Sequence, residues 1–135
     1  MKTLKLLSFA LLVGLFAGCN DDDDNGTAEL SGAWKLTRIQ GGFAGVDETF
    51  TPGVITWNFN DNQTVTIVNN NTDDTAEDLF ESGTYDYAAN TTGEPGECST
   101  QLSIDGTGLG CMTVGTVTLK LSQQGNDGFD VTLKR

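Results

Sequence analysis

At 135 residues the chain has room for one domain, and it carries 19 acidic against 7 basic side chains, a formal net charge of −12. A surface of that sign repels nucleic acid and anionic headgroups, so nucleic-acid binding is the first function excluded. The composition holds no His, which removes Ser-His-Asp and Cys-His nucleophile systems and the usual zinc hydrolase sites; only paired carboxylates remain as an acid–base route.

Residues 1–18 read as a secretory leader. Lys2 and Lys5 supply the basic start, and residues 6–16 form an apolar run broken only by Ser8 and Gly14. As a helix that run spans about 16 Å against the roughly 30 Å of a bilayer core, too short for a transmembrane anchor. It ends in Leu15-Phe16-Ala17-Gly18-Cys19, with small residues ahead of a Cys. This resembles the lipobox of bacterial lipoproteins, although Phe16 replaces the usual aliphatic residue. The resemblance implies cleavage before Cys19, a diacylglycerol on its sulfur and acylation of the new amino terminus. Several acyl chains, at about 0.8 kcal/mol per buried methylene, make such attachment effectively permanent.

Residues 19–29 form a tether. Asp21, Asp22, Asp23 and Asp24 repel one another and resist helix formation, so the eleven residues reach about 35 Å when extended. Two readings stand. One is a solvated spacer. The other follows from a resemblance: an acidic cluster directly after a lipidated Cys is similar to the lipoprotein export signal of Bacteroidetes, which implies delivery to the outer face of the outer membrane. The periplasmic leaflet is the alternative address. Consecutive Asp residues cannot all turn towards one ion, so no calcium site is expected.

Residues 30–135 make the folded domain. The segment 30–39 alternates with period two, placing Trp34, Leu36 and Arg38 on one face and Ala33, Lys35, Thr37 and Ile39 on the other. Gly32, two residues before Trp34, lets the backbone pass close while the indole plugs one end of a core. This Gly-x-Trp opening resembles the first strand of lipocalins and of the lipocalin-like domains on bacterial lipoproteins. The resemblance implies that Trp34 closes the floor of an antiparallel barrel and that a basic residue near the end of the last strand lies over it. Arg135 is the candidate for that residue.

Residues 41–53 read as a long loop with a short strand near 47–51; over an open barrel mouth, Phe43 or Phe50 would touch a ligand. Residues 54–60 alternate cleanly, bringing Ile55, Trp57 and Phe59 together. With the turn at 60–63 and the strand 64–68 they make a hairpin. Residues 75–80 suggest one helical turn capped by Thr75. The tripeptide Asp74-Thr75-Ala76 also resembles an O-glycosylation site of Bacteroidetes surface proteins. Residues 82–88 form the next strand with Tyr85 and Tyr87 on one face, their phenols reaching solvent at the rim or, as the alternative, a polar ligand inside the barrel.

Further strands are expected at 100–105, 113–122 and 128–135, with turns at 105–108 and 124–128. Setting Cys19 aside leaves an even pair, Cys98 and Cys111, on adjoining arms in an oxidising compartment, and a disulfide is expected. Metal binding would require further soft or imidazole ligands, and no cofactor is expected.

The pattern therefore predicts an all-β chain, an antiparallel up-and-down lipocalin-like barrel of about eight strands, with a seven-stranded sandwich as the alternative. Two functions fit a chain that binds and does not catalyse. One is a lipid-anchored, lipocalin-like domain holding a small apolar or amphipathic ligand against Trp57, Phe59, Phe43 or Phe50. The other is a surface interaction or inhibitor module whose interior is filled by its own side chains.

Overall fold

The computed structural model describes residues 29–92, 98–123, 125 and 127–135. The leader, Cys19 and the acidic run Asp21, Asp22, Asp23 and Asp24 lie outside the described residues. Nine strands follow one another: β1 (Gly32–Gly41), β2 (Val46–Thr49), β3 (Ile55–Phe59), β4 (Thr64–Asn69), β5 (Gly83–Thr91), β6 (Thr100–Ile104), β7 (Thr107–Val114), β8 (Thr118–Ser122) and β9 (Phe129–Lys134). Among the described residues there is no helix.

Every pairing is antiparallel. Neighbouring strands from β3 to β9 pair in sequence order, and β1 pairs with both β3 and β9. The ribbon is thereby closed into an eight-stranded, up-and-down lipocalin-like barrel, and the sandwich alternative does not form. Closure matters because an open sheet would leave two rows of unpaired N–H and C=O groups.

The eighth barrel strand is not the one the sequence suggested. β2 lies beside the distal half of β1, with Arg38 opposite Thr49 and Gly41 opposite Val46, on the same edge that holds β3 further back. It is an addition to the barrel. The missing strand comes from the segment 113–122, expected as one strand, which is the end of β7, a tight turn and β8. Gly115 N–H donates to Thr118 O at 2.7 Å across that turn, and Val117 is 62% exposed at its tip.

β1 departs from strict alternation. Strict alternation would put Ile39 outside with Lys35, yet Trp34, Leu36 and Ile39 are all fully buried. The register against β9 shifts between Leu36, opposite Leu133, and Arg38, opposite Thr132. Thr37 is thus the extra residue of a β-bulge, which flips the alternation beyond it and brings Ile39 to the core. Its hydroxyl donates to Thr132 O at 3.0 Å.

The core is one cluster whose fully buried side chains come from seven of the eight barrel strands, β5 being the exception. Trp34, Trp57, Phe59, Leu36, Ile55, Ile67, Leu102, Ile104, Leu109, Leu119, Leu121 and Leu133 are at most 1% exposed. Leu30, Phe50, Leu79, Phe80, Tyr85 and Tyr87 pack against it from the ends and from β5.

Candidate functional site

The end of the barrel where β1 begins is sealed by residues far apart in sequence. Gly32 has φ +103°, a conformation that side-chain-bearing residues rarely adopt. The chain turns there so that Trp34 enters the interior while its Nε1–H donates back to Leu30 O at 2.7 Å. The Arg135 guanidinium carbon sits 4.2 Å from the centre of the Trp34 ring. Its Nη2 donates to Ser31 O at 3.0 Å and also to Glu29 O. A guanidinium is suited to this position, because its plane lies on the indole while its edge still holds donors for carbonyls. The structure thus brings Gly32, Trp34 and Arg135 together. The carbonyls of residues 29–31 that complete the plug carry no side-chain pattern from which a sequence could announce them.

The four aromatic residues considered for ligand contact do not converge. Trp57 and Phe59 are fully buried within the core, Trp57 edge-on to Phe80 at 5.6 Å and Phe59 edge-on to Tyr87 at 5.0 Å. Phe50 packs half-buried against that core. Phe43 is 93% exposed at the tip between β1 and β2. The interior space that a ligand would share with Trp57 and Phe59 is occupied by aliphatic side chains from β4, β6, β7 and β8. Clefts of 290–590 Å³ occur on the outside of the barrel and in its loops. One polar atom in this interior is conspicuous. Among the described residues, Trp57 Nε1 is buried without a hydrogen-bond partner, whereas the Trp34 indole is satisfied.

The opposite end is covered by the 70–82 connection. No helical turn forms there. Asp73, not Thr75, organises the loop: its Oδ1 accepts from the Thr75 hydroxyl at 2.6 Å and the Thr75 N–H at 3.0 Å. Those two donors hold the Asp73 carboxyl below the usual carboxylate range, the hydroxyl contributing more. Thr75 is exposed. Further along, Leu79 adopts φ +69° and Phe80 tucks under the loop beside Trp57 and Tyr85. The Tyr85 hydroxyl donates to Glu81 O at 2.8 Å, so that phenol serves the loop. Asn69 Nδ2 ties the loop down through Asp78 Oδ2 and Phe80 O, at 2.8 and 2.9 Å.

Cys98 and Cys111 form a disulfide, with their Cα atoms 5.3 Å apart. Cys111 stands in the outward row between Gln101 on β6 and Ser122 on β8, and the crossing segment at Cys98 covers it. Among the described residues no group of three or more His, Cys, Asp or Glu side chains could hold a metal ion. Asp86 and Asp130 are exposed, and Asp130 accepts from the Ser122 hydroxyl at 2.6 Å.

No family model matches this chain, and neither a curated protein nor a solved structure matches it.

Proposed function

We propose that this protein is a binding module that works through its outer surface, held at the outer membrane by lipid on Cys19 and the Asp21–Asp24 tether. It binds and does not transform. The observation that carries the reading is the filled interior: Trp34, Trp57 and Phe59, with the aliphatic side chains around them, are at most 1% exposed. A ligand-carrying barrel of this size keeps a cavity of about 300 Å³ or more for its cargo. A small barrel packed with its own side chains offers partners only its outside.

Native mass spectrometry of the protein purified from its membrane tests this directly. The expected species is the polypeptide with its acyl chains and no further small molecule. An added apolar probe should leave Trp fluorescence unchanged. Co-purification of a stoichiometric small molecule displaced by the probe would overturn the reading. Replacing Cys19 with Ser should release the chain from the membrane fraction, and digestion of intact cells by an added protease reads whether it faces outward.

A second reading keeps the interior as the binding site, and Trp57 Nε1 favours it. A buried N–H without an acceptor costs about 1–3 kcal/mol, and a small ligand bearing a carbonyl or hydroxyl oxygen would recover that cost. Such a ligand has to enter past Phe80. The same mass measurement separates the two readings.

A further inference from the structure

We propose that the outer face of β1, β9 and β8 is a groove for an oxyanion-bearing saccharide, a sugar chain carrying sulfate or phosphate esters. The basic residues of the folded domain are few and strongly segregated. Lys35 and Arg38 lie on β1, Lys120 on β8 and Lys134 on β9, with Arg135 next to it on the Trp34 plug. The pairing register puts them side by side: Lys35, Lys134 and Thr118 form one cross-strand row, and Arg38, Thr132 and Lys120 form the next. A chain with 19 acidic residues therefore has four cations gathered on three adjoining strands.

The shape of this face is the second, independent observation. A cleft of about 540 Å³ opens outward over β9 between Arg38 on β1 and Lys120 on β8, with Lys134 of β9 also lining it, and continues past Gln40 towards Asp130 along β9. Its floor is made of half-buried Thr37, Thr118 and Thr132, while the four cations are exposed. The trough arises because the middle strand presents a short hydroxylated side chain where both neighbours present long ones. Its walls stand about 10 Å apart, two strand spacings, so one tetrahedral oxyanion between them is within reach of both. Among the described residues no carboxylate lies within 4.0 Å of the Lys35, Lys120 or Lys134 ammonium groups. Arg38 is held by Asp47 on β2, at 2.9 and 3.0 Å, which leaves the three lysines as the uncommitted charges.

The chemistry selects the ligand. The Lys120 and Lys134 ammonium groups beside a floor of hydroxyls, with Lys35 next to Lys134 in the cross-strand row, offer ionic contacts to ester oxyanions and hydrogen bonds to sugar hydroxyls. An acidic peptide adding as a strand needs a free edge, and β1, β9 and β8 are each paired on both sides; the free edge belongs to the four-residue β2, which does not line the cleft. Asp47 neutralises Arg38 and Asp130 lines the far end of the cleft, so the uncompensated charge of the cleft is that of Lys120 and Lys134; carboxylates more than about 8 Å away are screened at physiological salt.

The inference rests on the outer-surface reading above and names what that surface takes. The test is calorimetric titration of the full chain with a sulfated dextran hexasaccharide, a dextran phosphate, neutral dextran and poly-glutamate of matched charge. Both esters are expected to bind at least tenfold more tightly than poly-glutamate, neutral dextran not at all, with binding weakening as NaCl rises from 50 to 300 mM. The double variant K120Q/K134Q should lose tenfold or more, and T132V a smaller factor, with circular dichroism unchanged. No binding of either ester, equal binding of poly-glutamate, or an unaffected K120Q/K134Q each overturns the groove. Native mass spectra of the same samples report on the interior separately. An occupied interior sinks the outer-surface reading, whereas a blank titration with an empty interior sinks the groove alone.

Discussion

The two tryptophans stand opposite each other in the β1–β3 ladder and are equally buried, yet their polar atoms meet different fates. Trp34 is bonded to Leu30 O and roofed by Arg135; Trp57 Nε1 has no partner among the described residues. Replacing Trp34 with Phe removes a hydrogen bond of about 1 kcal/mol and weakens a cation–π contact of about 0.5–2 kcal/mol. Replacing Trp57 with Phe deletes an unsatisfied donor. Urea unfolding should therefore show W34F losing about 1–2 kcal/mol more stability than W57F, and equal losses would contradict this account. Asp73 supplies a pH-dependent counterpart. Its carboxyl is depressed in the folded state by the Thr75 hydroxyl and N–H, so its stabilisation of the loop is complete above the unfolded value of about 3.9. It fades as pH falls through the lower, folded value. NMR titration should find Asp73 titrating below an ordinary Asp in the native chain, and moving back up in T75V.

The elements differ in how openly the sequence declares them. β3 and β4 could be read directly, because Ile55, Trp57 and Phe59 alternate without interruption and a polar turn separates them from Val65 and Ile67. The Trp34–Arg135 pairing was legible only through a Gly-x-Trp resemblance. The bulge at Thr37 was hidden, since a one-residue insertion leaves composition untouched and shows only as a break in period. The β7–β8 hairpin was hidden for another reason: its turn is built from Gly115, Thr116 and Val117, and β-branched residues at a turn look like more strand. A related bulge lies in β7, where the register shifts between Leu102 and Ser103. Gly110 there has φ +83°, and a Cβ would lie 2.1 Å from Ser122 O. Such a contact cannot be relieved without moving β8. Beside it, the Cys98–Cys111 disulfide closes a loop of 13 residues, for which about 2–4 kcal/mol is typical. The C98S/C111S variant should lose that amount in urea unfolding, and G110A should fall below the wild-type midpoint even with the disulfide intact.

At the scale of the whole molecule, the direction of the barrel follows from its plug. The chain enters at Glu29 beside Trp34, and the β3–β4 and β7–β8 turns lie at the same end. The tip at Phe43 and the 70–82 loop occupy the opposite end. In the proposed lipid-anchored protein, the tether from Cys19 joins the barrel at its Trp34 end, so the Phe43 tip and the 70–82 loop lie furthest from the point of attachment. A protease added to intact, surface-displaying cells should then cut first in the 70–82 loop or at the Phe43 tip, and cleavage confined to lysed cells would place the domain inside.

The joining of β1 to β9 constrains the life history of the polypeptide as well as its final shape. Thr37 and Thr132, bonded across 95 positions, cannot meet until Thr132 has been made. Contacts this distant are slow to form, because the loop-closure entropy comes before the reward. During synthesis the barrel therefore remains an unlatched ribbon, and it locks only after β9 has emerged.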